Sequence, residues 1–184
     1  VREHGSGNAG ATNVFRVLGP GTAIPVLIID ALKGSAAVGL SGLASNAFAS
    51  SEWFLMYSLL LGALALLGHV FPLFAGFRGG KGIATLAGIG LVLFPVEVLI
   101  SLGVFILVFL PFRYVSLGSI MAAIAFPVAV WFVNDPPLFS QMGFAMLVAV
   151  FVPLTHKKNI VRLLKGNENK IRFGSKTKAS GAGK

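Results

Sequence analysis

The chain has no cysteine and few charged residues, and both absences limit the chemistry it can carry out. No disulfide, thiol nucleophile or cysteine-bound metal is possible among its 184 residues. Charged side chains make up 11% of the sequence and only six are acidic, so no carboxylate cluster for a metal is visible. The motifs His-x-x-x-x-Asp, Gly-x-Ser-x-Gly and His-Glu-x-x-His are also missing. Any reaction must therefore depend on positioning and charge stabilisation, and we expect no metal or other cofactor.

Apolar residues dominate instead. They make up 55% of the sequence, and the mean hydropathy of +0.86 lies well outside the range of a soluble domain. They form long runs rather than one core pattern, which predicts an all-α, polytopic helical membrane protein. The net charge of +9 could indicate a nucleic-acid partner. In so apolar a chain it more often marks loops that face the cytoplasm, so we expect contact with membrane lipid and not with nucleic acid.

Four apolar runs are each long enough to be a membrane segment. They cover residues 22–43, 53–74, 115–133 and 138–154. A further apolar stretch, residues 83–112, is interrupted by Pro95 and Glu97. As one helix it would be roughly 45 Å long, against a hydrocarbon core of roughly 30 Å. It is therefore either one tilted helix or two shorter ones.

The distribution of charge favours two helices. With a break at Pro95 the chain has six membrane segments, and its basic loops then share one side. These loops carry Arg2, Arg16, Arg78, Lys81, Arg113 and the basic residues from Lys157 onward. The opposite connections carry Glu52, Glu97 and Asp135 without any Lys or Arg, in agreement with the positive-inside rule. We expect the first piece, residues 83–94, to be too short to cross the membrane unaided and to be buried among its neighbours.

The chain is best interpreted as one domain followed by a tail. Residues 1–172 form a single integral membrane domain. Residues 173–184 are small, polar and basic, which predicts a disordered tail that contacts solvent or anionic lipid.

Three polar, glycine-rich clusters lie on the predicted cytoplasmic side, at residues 4–16, 76–82 and 155–162. Each combines flexible backbone or hydroxyl groups with a cation, which is the combination that binds phosphate. Three such clusters on one membrane face predict a phosphorylated, lipid-related substrate.

The first cluster supplies several side-chain donors and a guanidinium group. The donors are Ser6, Asn8, Thr12 and Asn13. Arg16 adds a fork that can bind phosphate in a bidentate manner. Thr12 or Asn13 could instead cap a short helix, but capping does not account for all four donors together with an arginine.

The second cluster places glycines and a lysine directly before an apolar helix. Gly79, Gly80 and Gly82 allow backbone N–H groups to converge, and Lys81 adds a mobile cation near the helix N-terminus. The pattern is not a Walker A loop, because Gly82 stands where Ser or Thr is required. An ordinary basic loop is the alternative to phosphate binding.

In the third cluster, His156 and Asn159 share one face if the last apolar run continues as a helix. A histidine beside lysines at a membrane interface is usually a capping or snorkelling residue, so the spacing alone leaves its role open. Glu168 is better suited to pairing with the surrounding cations than to acting as a base.

Three polar residues lie within the predicted membrane segments. Asp30 and Lys33 are three residues apart, and ionisable groups in such positions usually pair with each other or face a cavity. An internal ion pair and a role in substrate binding are both compatible with this spacing. For His69, a hydrogen-bonded structural role is favoured over a catalytic one.

Taken in order, the clusters resemble the three signatures of the bacterial acyl-phosphate:glycerol-3-phosphate acyltransferase family. Residues 5–16 match Gly-Ser-Gly-Asn-x-Gly-Ala-Thr-Asn-x-x-Arg, and residues 76–85 match Gly-x-[Lys/Arg]-Gly-Gly-Lys-Gly-x-Ala-Thr. Residues 156–163 match His-x-x-Asn-Ile-x-Arg-Leu. The connecting segments match as well, and the resemblance extends to Arg172.

The resemblance implies a seven-helix enzyme of the bacterial inner membrane whose active site faces the cytoplasm. Such an enzyme moves a fatty acyl group from acyl phosphate to the 1-hydroxyl of glycerol 3-phosphate, giving lysophosphatidic acid and phosphate in phospholipid synthesis. Because this chain begins at the first signature, we expect it to lack the first of the seven helices.

The resemblance also implies roles for individual residues. Ser6, Arg16, His156 and Asn159 match residues needed for activity, and the glycine loop matches a phosphate-binding motif. Glu168 matches an acidic residue with a structural role. We hypothesise that both phosphates bind at the cytoplasmic face while the acyl chain lies in an apolar groove, with either His156 or a substrate phosphate as the base. A membrane transporter of phosphate or of an organic phosphate is the alternative.

Overall fold

The computed structural model describes residues 1–171, and all regular secondary structure in this range is helical. The α-helices are α1 (Ala11–Leu18), α2 (Pro20–Gly39), α3 (Ser51–Val70), α4 (Ile83–Leu93), α5 (Pro95–Phe112), α6 (Val115–Val133), α7 (Phe139–Thr155) and α8 (Lys157–Leu164). Short 3₁₀ helices, Leu40–Ala47 and Leu73–Ala75, follow α2 and α3. The predicted domain boundary at residue 172 and the tail at 173–184 lie outside the described residues.

Four helices in the described range, α2, α3, α5 and α6, are long and apolar enough to cross a membrane. The bent pair α7 and α8, whose axes differ by 62°, makes a fifth candidate. With 11 residues, α4 extends only about 17 Å, which is too short for a hydrocarbon core of about 30 Å. The predicted fold class, a polytopic helical membrane protein, is confirmed. The count of six segments stays a prediction.

The long apolar stretch is divided, as the charge distribution predicts. α4 ends at Leu93, Phe94 adopts a non-helical conformation, and Pro95 is the first residue of α5. Proline is favoured at this position because its missing N–H has no partner within a helix in any case. The prediction of two helices between residues 83 and 112 is confirmed.

α4 is packed closely against α2. A Cβ at Gly88 would lie 1.9 Å from the carbonyl oxygen of Ala31, and a Cβ at Gly34 would lie 2.3 Å from that of Thr85. Ser35 Oγ also donates to the carbonyl of Gly88 at 2.9 Å. Small residues let two helix backbones approach in this way within a membrane. The prediction that this short helix is buried among its neighbours is confirmed.

An aromatic cluster fills the centre of the bundle where α4, α5, α6 and α7 meet. Phe94 is fully buried, and its ring lies 5.6 Å from the rings of both Phe126 and Phe144. Val130 and Ala145 are fully buried in the same cluster. Rings at these separations add to the stabilisation that burial itself provides.

Polar contacts join the helices at the end of the bundle beyond this cluster. Asn134 Nδ2 donates to Glu97 Oε1 at 2.5 Å, and Gln141 Nε2 donates to Asn134 Oδ1 at 3.2 Å. The N–H of Ser140 donates to Glu52 Oε1 at 2.9 Å. Two of the three acidic residues predicted for the outer face thus connect α3, α5, α6 and α7 there.

At the opposite end, α1 is a short amphipathic helix that begins within the first polar cluster. Its N-cap is Gly10, and no side chain caps the helix. The alternative in which Thr12 or Asn13 serves as the helix cap is therefore wrong. Since capping does not occupy these polar side chains, they are available to shape the loop and the site.

Candidate active site

The three polar clusters meet at one end of the bundle. Lys81 Nζ, from the second cluster, donates to Asn159 Oδ1, from the third, at 2.6 Å. Arg2 Nε, next to the first cluster, donates to the carbonyl of Arg78 at 3.2 Å. This end forms the polar mouth of a cavity of about 700 Å³. The predicted site residues that line the mouth are Ser6, Asn8, Thr12, Asn13, Arg16, Lys81, Gly82, His156 and Asn159.

Asn13 organises the first cluster from within. Its Nδ2 lies 2.9–3.0 Å from the backbone oxygens of Val1, His4 and Asn8. Its Oδ1 accepts from the N–H of Ser6 at 2.7 Å, and the residue is 2% exposed. These contacts engage both ends of the amide, so Asn13 shapes the loop. That differs from the predicted direct contact with phosphate.

The glycines of the second cluster allow close packing against the end of α3. The N–H of Gly79 donates to the carbonyl of Val70, and the N–H of Gly80 donates to that of His69. A Cβ at Gly79 would lie 1.9 Å from the His69 carbonyl oxygen, and one at Gly80 would lie 2.1 Å from His69 Nε2. The amides of Gly79 and Gly80 are therefore engaged with backbone, which differs from the predicted contact with phosphate.

Gly82 turns the chain into α4. Its φ of 78° lies in the left-handed region that favours glycine, and a Cβ there would lie 2.3 Å from Leu66 Cδ1. This turn places Lys81 at the cavity mouth, where burial lowers the pKa of Lys81 to about 8 even though the carboxylate of Glu168 raises it. One N–H of the ammonium group donates its hydrogen bond to Asn159, so the other two N–H groups can donate to an anion.

Glu168 joins the surrounding elements by three hydrogen bonds. Its Oε1 accepts from Asn159 Nδ2 at 2.8 Å and from Ser116 Oγ at 3.2 Å. Its Oε2 accepts from Arg162 Nε at 2.8 Å. The carboxylate is buried, so these donors and the nearby cations compensate its charge. The contacts agree with the structural role predicted for Glu168.

Arg16 extends from α1 toward the same carboxylate. Its NH2 group donates to the carbonyl of Asn169 at 3.1 Å. Burial lowers the pKa of Arg16, and the charge of Glu168 opposes that effect. The buried Nε of Arg16 has no hydrogen-bond acceptor among the described residues. A half-buried guanidinium whose buried Nε is an unpaired donor, placed at a cavity mouth, is suited to an anionic ligand.

His156 lies just beyond the end of α7, where the chain turns into α8. Its Nδ1 is 2.8 Å from the carbonyl oxygen of Val152, which can only accept, so Nδ1 carries the proton and Nε2 carries the lone pair. Burial and, to a smaller extent, the positive charge of Lys81 together lower the pKa of His156 to about 4. The ring is therefore neutral at physiological pH and can accept a hydrogen bond at Nε2.

The three polar residues of the membrane segments form one group beside the glycine loop. Lys33 Nζ lies 2.6 Å from Asp30 Oδ1 and also contacts His69 Nδ1, which is 3.3 Å from the same oxygen. Asp30 and His69 line the cavity. The internal ion pair predicted as one alternative is present. The ring of His69 in this group packs directly against Gly80, so the group supports the loop that carries Lys81.

Two features of the site could not be found by inspection of the polar clusters. Ser116 reaches Glu168 from α6, and the backbone of Asn169 reaches Arg16. The cavity also continues from the mouth into an apolar interior between α4, α5, α6 and α7. This interior agrees with the apolar groove hypothesised for the acyl chain, but the sequence could not show which helices line it.

A cationic mouth above an apolar cavity, within a bundle of membrane helices, is suited to an amphiphile with an anionic head. Comparison with known proteins gives the family. The model of the glycerol-3-phosphate acyltransferase family matches residues 1–166, and this chain belongs to that family.

Relatives of similar length support this assignment. The glycerol-3-phosphate acyltransferase of Chlorobaculum tepidum is 42% identical, and the match covers 96% of this chain and 86% of the relative. That of Fusobacterium nucleatum subsp. nucleatum is 44% identical, with 94% of this chain and 84% of the relative covered.

Two solved structures share the fold. One is the glycerol 3-phosphate form of PlsY (YgiH), an integral membrane glycerol 3-phosphate acyltransferase. It superposes with a TM-score of 0.80 at 37% identity and covers 93% of this chain and 82% of its own. The lysophosphatidic acid form gives a TM-score of 0.77 at 36% identity, with 91% and 81% covered.

Proposed function

We propose that this chain transfers a fatty acyl group from acyl phosphate to the 1-hydroxyl of glycerol 3-phosphate, giving lysophosphatidic acid and phosphate. The observation that carries the proposal is the junction of a cationic mouth with an apolar cavity. A glycerol phosphate and an acyl phosphate both need cations for their phosphate groups, and the acyl donor also needs an apolar site. We further propose that the protein acts in the bacterial inner membrane, with the mouth toward the cytoplasm and no cofactor.

The cations divide between two phosphate sites in this proposal. Arg16 binds one phosphate through its unpaired Nε, together with Ser6 and Asn8 of the first cluster. Lys81 binds the other phosphate through the two N–H groups that do not donate to Asn159. Asn159 is itself held by Glu168, so its contact with Lys81 fixes the ammonium group before substrate arrives.

The reaction needs only a weak base, because the acyl phosphate is already activated. The glycerol hydroxyl oxygen attacks the carbonyl carbon, the bond from that carbon to the phosphate oxygen breaks, and phosphate leaves with the electron pair. Nε2 of neutral His156 accepts a hydrogen bond from the hydroxyl and orients it. A phosphate with a second pKa of about 6 is a stronger base than His156, so the proton goes to the phosphate.

The cations then stabilise the reaction as charge moves. Lys81 and Arg16 lie at the mouth, where negative charge accumulates on the leaving phosphate. Their partial burial strengthens this interaction relative to water.

The shape of the cavity favours an enzyme over a transporter. On the side of Ser101 and Ser119 that faces away from the mouth, the lining consists of apolar side chains, including Phe126 and Phe144. A transporter for phosphate would need a polar path to the other membrane face. At the far end of the cavity, the fully buried ring of Phe94 packs against Phe126 and Phe144.

The test uses purified protein in detergent with acyl phosphate and glycerol 3-phosphate. We expect phosphate release that depends on glycerol 3-phosphate, and one lysophosphatidic acid formed for each phosphate. Acyl-CoA in place of acyl phosphate should give no product. Protein that gives no product from acyl phosphate, but that accumulates glycerol 3-phosphate in liposomes, would establish the transporter instead.

A further inference from the structure

The end of the apolar cavity that lies away from the mouth is built from aromatic rings. Phe126 and Phe144 line the cavity, with ring centroids 6.2 Å apart. Phe94 lies against both at 5.6 Å and is fully buried. We call these three residues the aromatic floor. Val130 and Ala145 are packed in the same cluster and are fully buried as well.

The distance from the mouth to the aromatic floor follows from helix geometry. On α6, Ser116 contacts Glu168 at the mouth and Phe126 lies ten residues further on, which is about 15 Å. On α7, Val152 contacts His156 at the mouth and Phe144 lies eight residues away, which is about 12 Å. Both helices therefore give a depth between about 12 and 15 Å.

This depth is close to the length of one membrane acyl chain. A hydrocarbon core of about 30 Å contains two leaflets, so each chain accounts for about 15 Å. A chain whose head is at Arg16 and Lys81 would reach the aromatic floor with its last carbons. Longer chains would meet three packed rings, and behind them the polar contacts of Glu97 with Asn134.

We propose that the aromatic floor sets the maximum length of the acyl chain that this protein accepts. The proposal rests on the proposed function for the identity of the chain. A chain that fits passes from lipid into a similarly apolar cavity at little cost. A longer chain that continues along the cavity must displace Phe126 or Phe144 from a packed cluster, and overpacking of this kind is destabilising.

Two substitutions should move this limit in opposite directions. Phe144→Leu shortens a floor side chain while keeping it apolar, so the limit should increase. Ala122 lines the cavity one helical turn before Phe126, so Ala122→Leu should lower the limit. Phe139→Leu is the matched control, because Phe139 also lies on α7 but is 88% exposed on the outer surface.

The first readout is competition between donors. Each purified protein receives an equimolar mixture of saturated acyl phosphates of increasing length with glycerol 3-phosphate, and the products are measured by mass spectrometry. For the unsubstituted chain, yield should fall about tenfold beyond one length. That length should increase in Phe144→Leu, decrease in Ala122→Leu and stay the same in Phe139→Leu.

The second readout does not require turnover. Lysophosphatidic acids of the same lengths are mixed in equal amounts with each protein, and the bound species are identified by native mass spectrometry. The bound lengths should show the same limits and the same two shifts. If product binding follows this pattern while acyl phosphate gives no product, the proposed donor is wrong and the aromatic floor still sets the length.

The proposal is overturned if both cavity variants bind and turn over substrate with an unchanged length limit. It is also overturned if the unsubstituted chain discriminates no lengths, or if Phe139→Leu shifts the limit as far as Phe144→Leu does.

Discussion

At the scale of single residues, the site combines buried cations with a neutral histidine. Lys81 and Arg16 are partly desolvated and lie near one carboxylate, Glu168. One negative charge does not balance two positive charges, so a bound phosphate would stabilise both cations. His156 differs because burial keeps it uncharged. The sequence shows all of these residues, but which of them are charged depends on burial, which the spacing does not reveal.

The pKa of Lys81 leads to a pH dependence of substrate binding. Because this pKa is lowered to about 8 from an ordinary value near 10.5, the ammonium group loses its proton as the pH rises through about 8. We expect KM for the substrate whose phosphate Lys81 binds, glycerol 3-phosphate or acyl phosphate, to rise above pH 8, up to about tenfold per pH unit, with a smaller change in kcat. Steady-state kinetics between pH 6 and 9.5 measure this.

The control for this pH dependence is Lys81→Arg. Arginine keeps its charge throughout this range, so the variant, though less active, should show no rise in KM above pH 8. The assignment to Lys81 fails if the two proteins show the same rise, or if KM of the unsubstituted chain is flat to pH 9.5.

His156→Gln separates the two possible bases. If Nε2 only orients the hydroxyl, kcat should fall about tenfold to a hundredfold, and the dependence of kcat on pH between 5 and 8 should keep its shape. The shape is retained because a pKa of about 4 leaves His156 neutral throughout that range. A loss of kcat by several decades at unchanged KM would instead identify His156 as the base.

At the scale of secondary-structure elements, the sequence predicted the helices better than their contacts. Pro95, Glu97 and the positions of the basic residues are local signals, and they correctly predicted the division into α4 and α5. The contacts of the glycine loop could not be predicted in the same way. Gly79 and Gly80 resemble a phosphate loop in sequence, yet their N–H groups donate to α3, and only the packing of two distant segments determines that.

Gly80→Ala tests the role of that packing. A Cβ at residue 80 would lie 2.1 Å from His69 Nε2, so the loop must shift and carry Lys81 with it. We expect KM for the substrate whose phosphate Lys81 binds to rise at least tenfold and the midpoint of thermal unfolding to fall. Kinetics and thermal unfolding in the same detergent measure the two effects.

Gly68→Ala is the matched control for this substitution. Gly68 lies in α3 near the same loop, but a Cβ there would meet no atom within 4 Å. Alanine is also the better helix former, so this variant should keep its activity and be equally or more stable. Equal losses in both variants would show that the contact with His69 does not position the loop.

At the scale of the whole molecule, one buried carboxylate joins parts of the chain that are far apart in sequence. Glu168 contacts α6 through Ser116 and α8 through Asn159 and Arg162, and it raises the pKa values of both Arg16 and Lys81. The sequence predicted that Glu168 pairs with cations. It could not show that one carboxylate serves the first, second and third clusters together, since that follows from the folding of residues 166–171 back onto the bundle.

Glu168→Gln should therefore change stability and binding together. The amide keeps acceptors for Ser116 and Asn159 but leaves Arg162 without a charged partner, so the free energy of unfolding should fall by about 3 kcal/mol. Because Glu168 raises the pKa of Lys81, its loss should move the rise in KM from about pH 8 to lower pH. The matched control is Glu3→Gln, which removes an equal charge at an exposed position and should change neither property. A variant that loses stability while the KM profile stays in place would show that Glu168 supports the fold without setting the charge of the site.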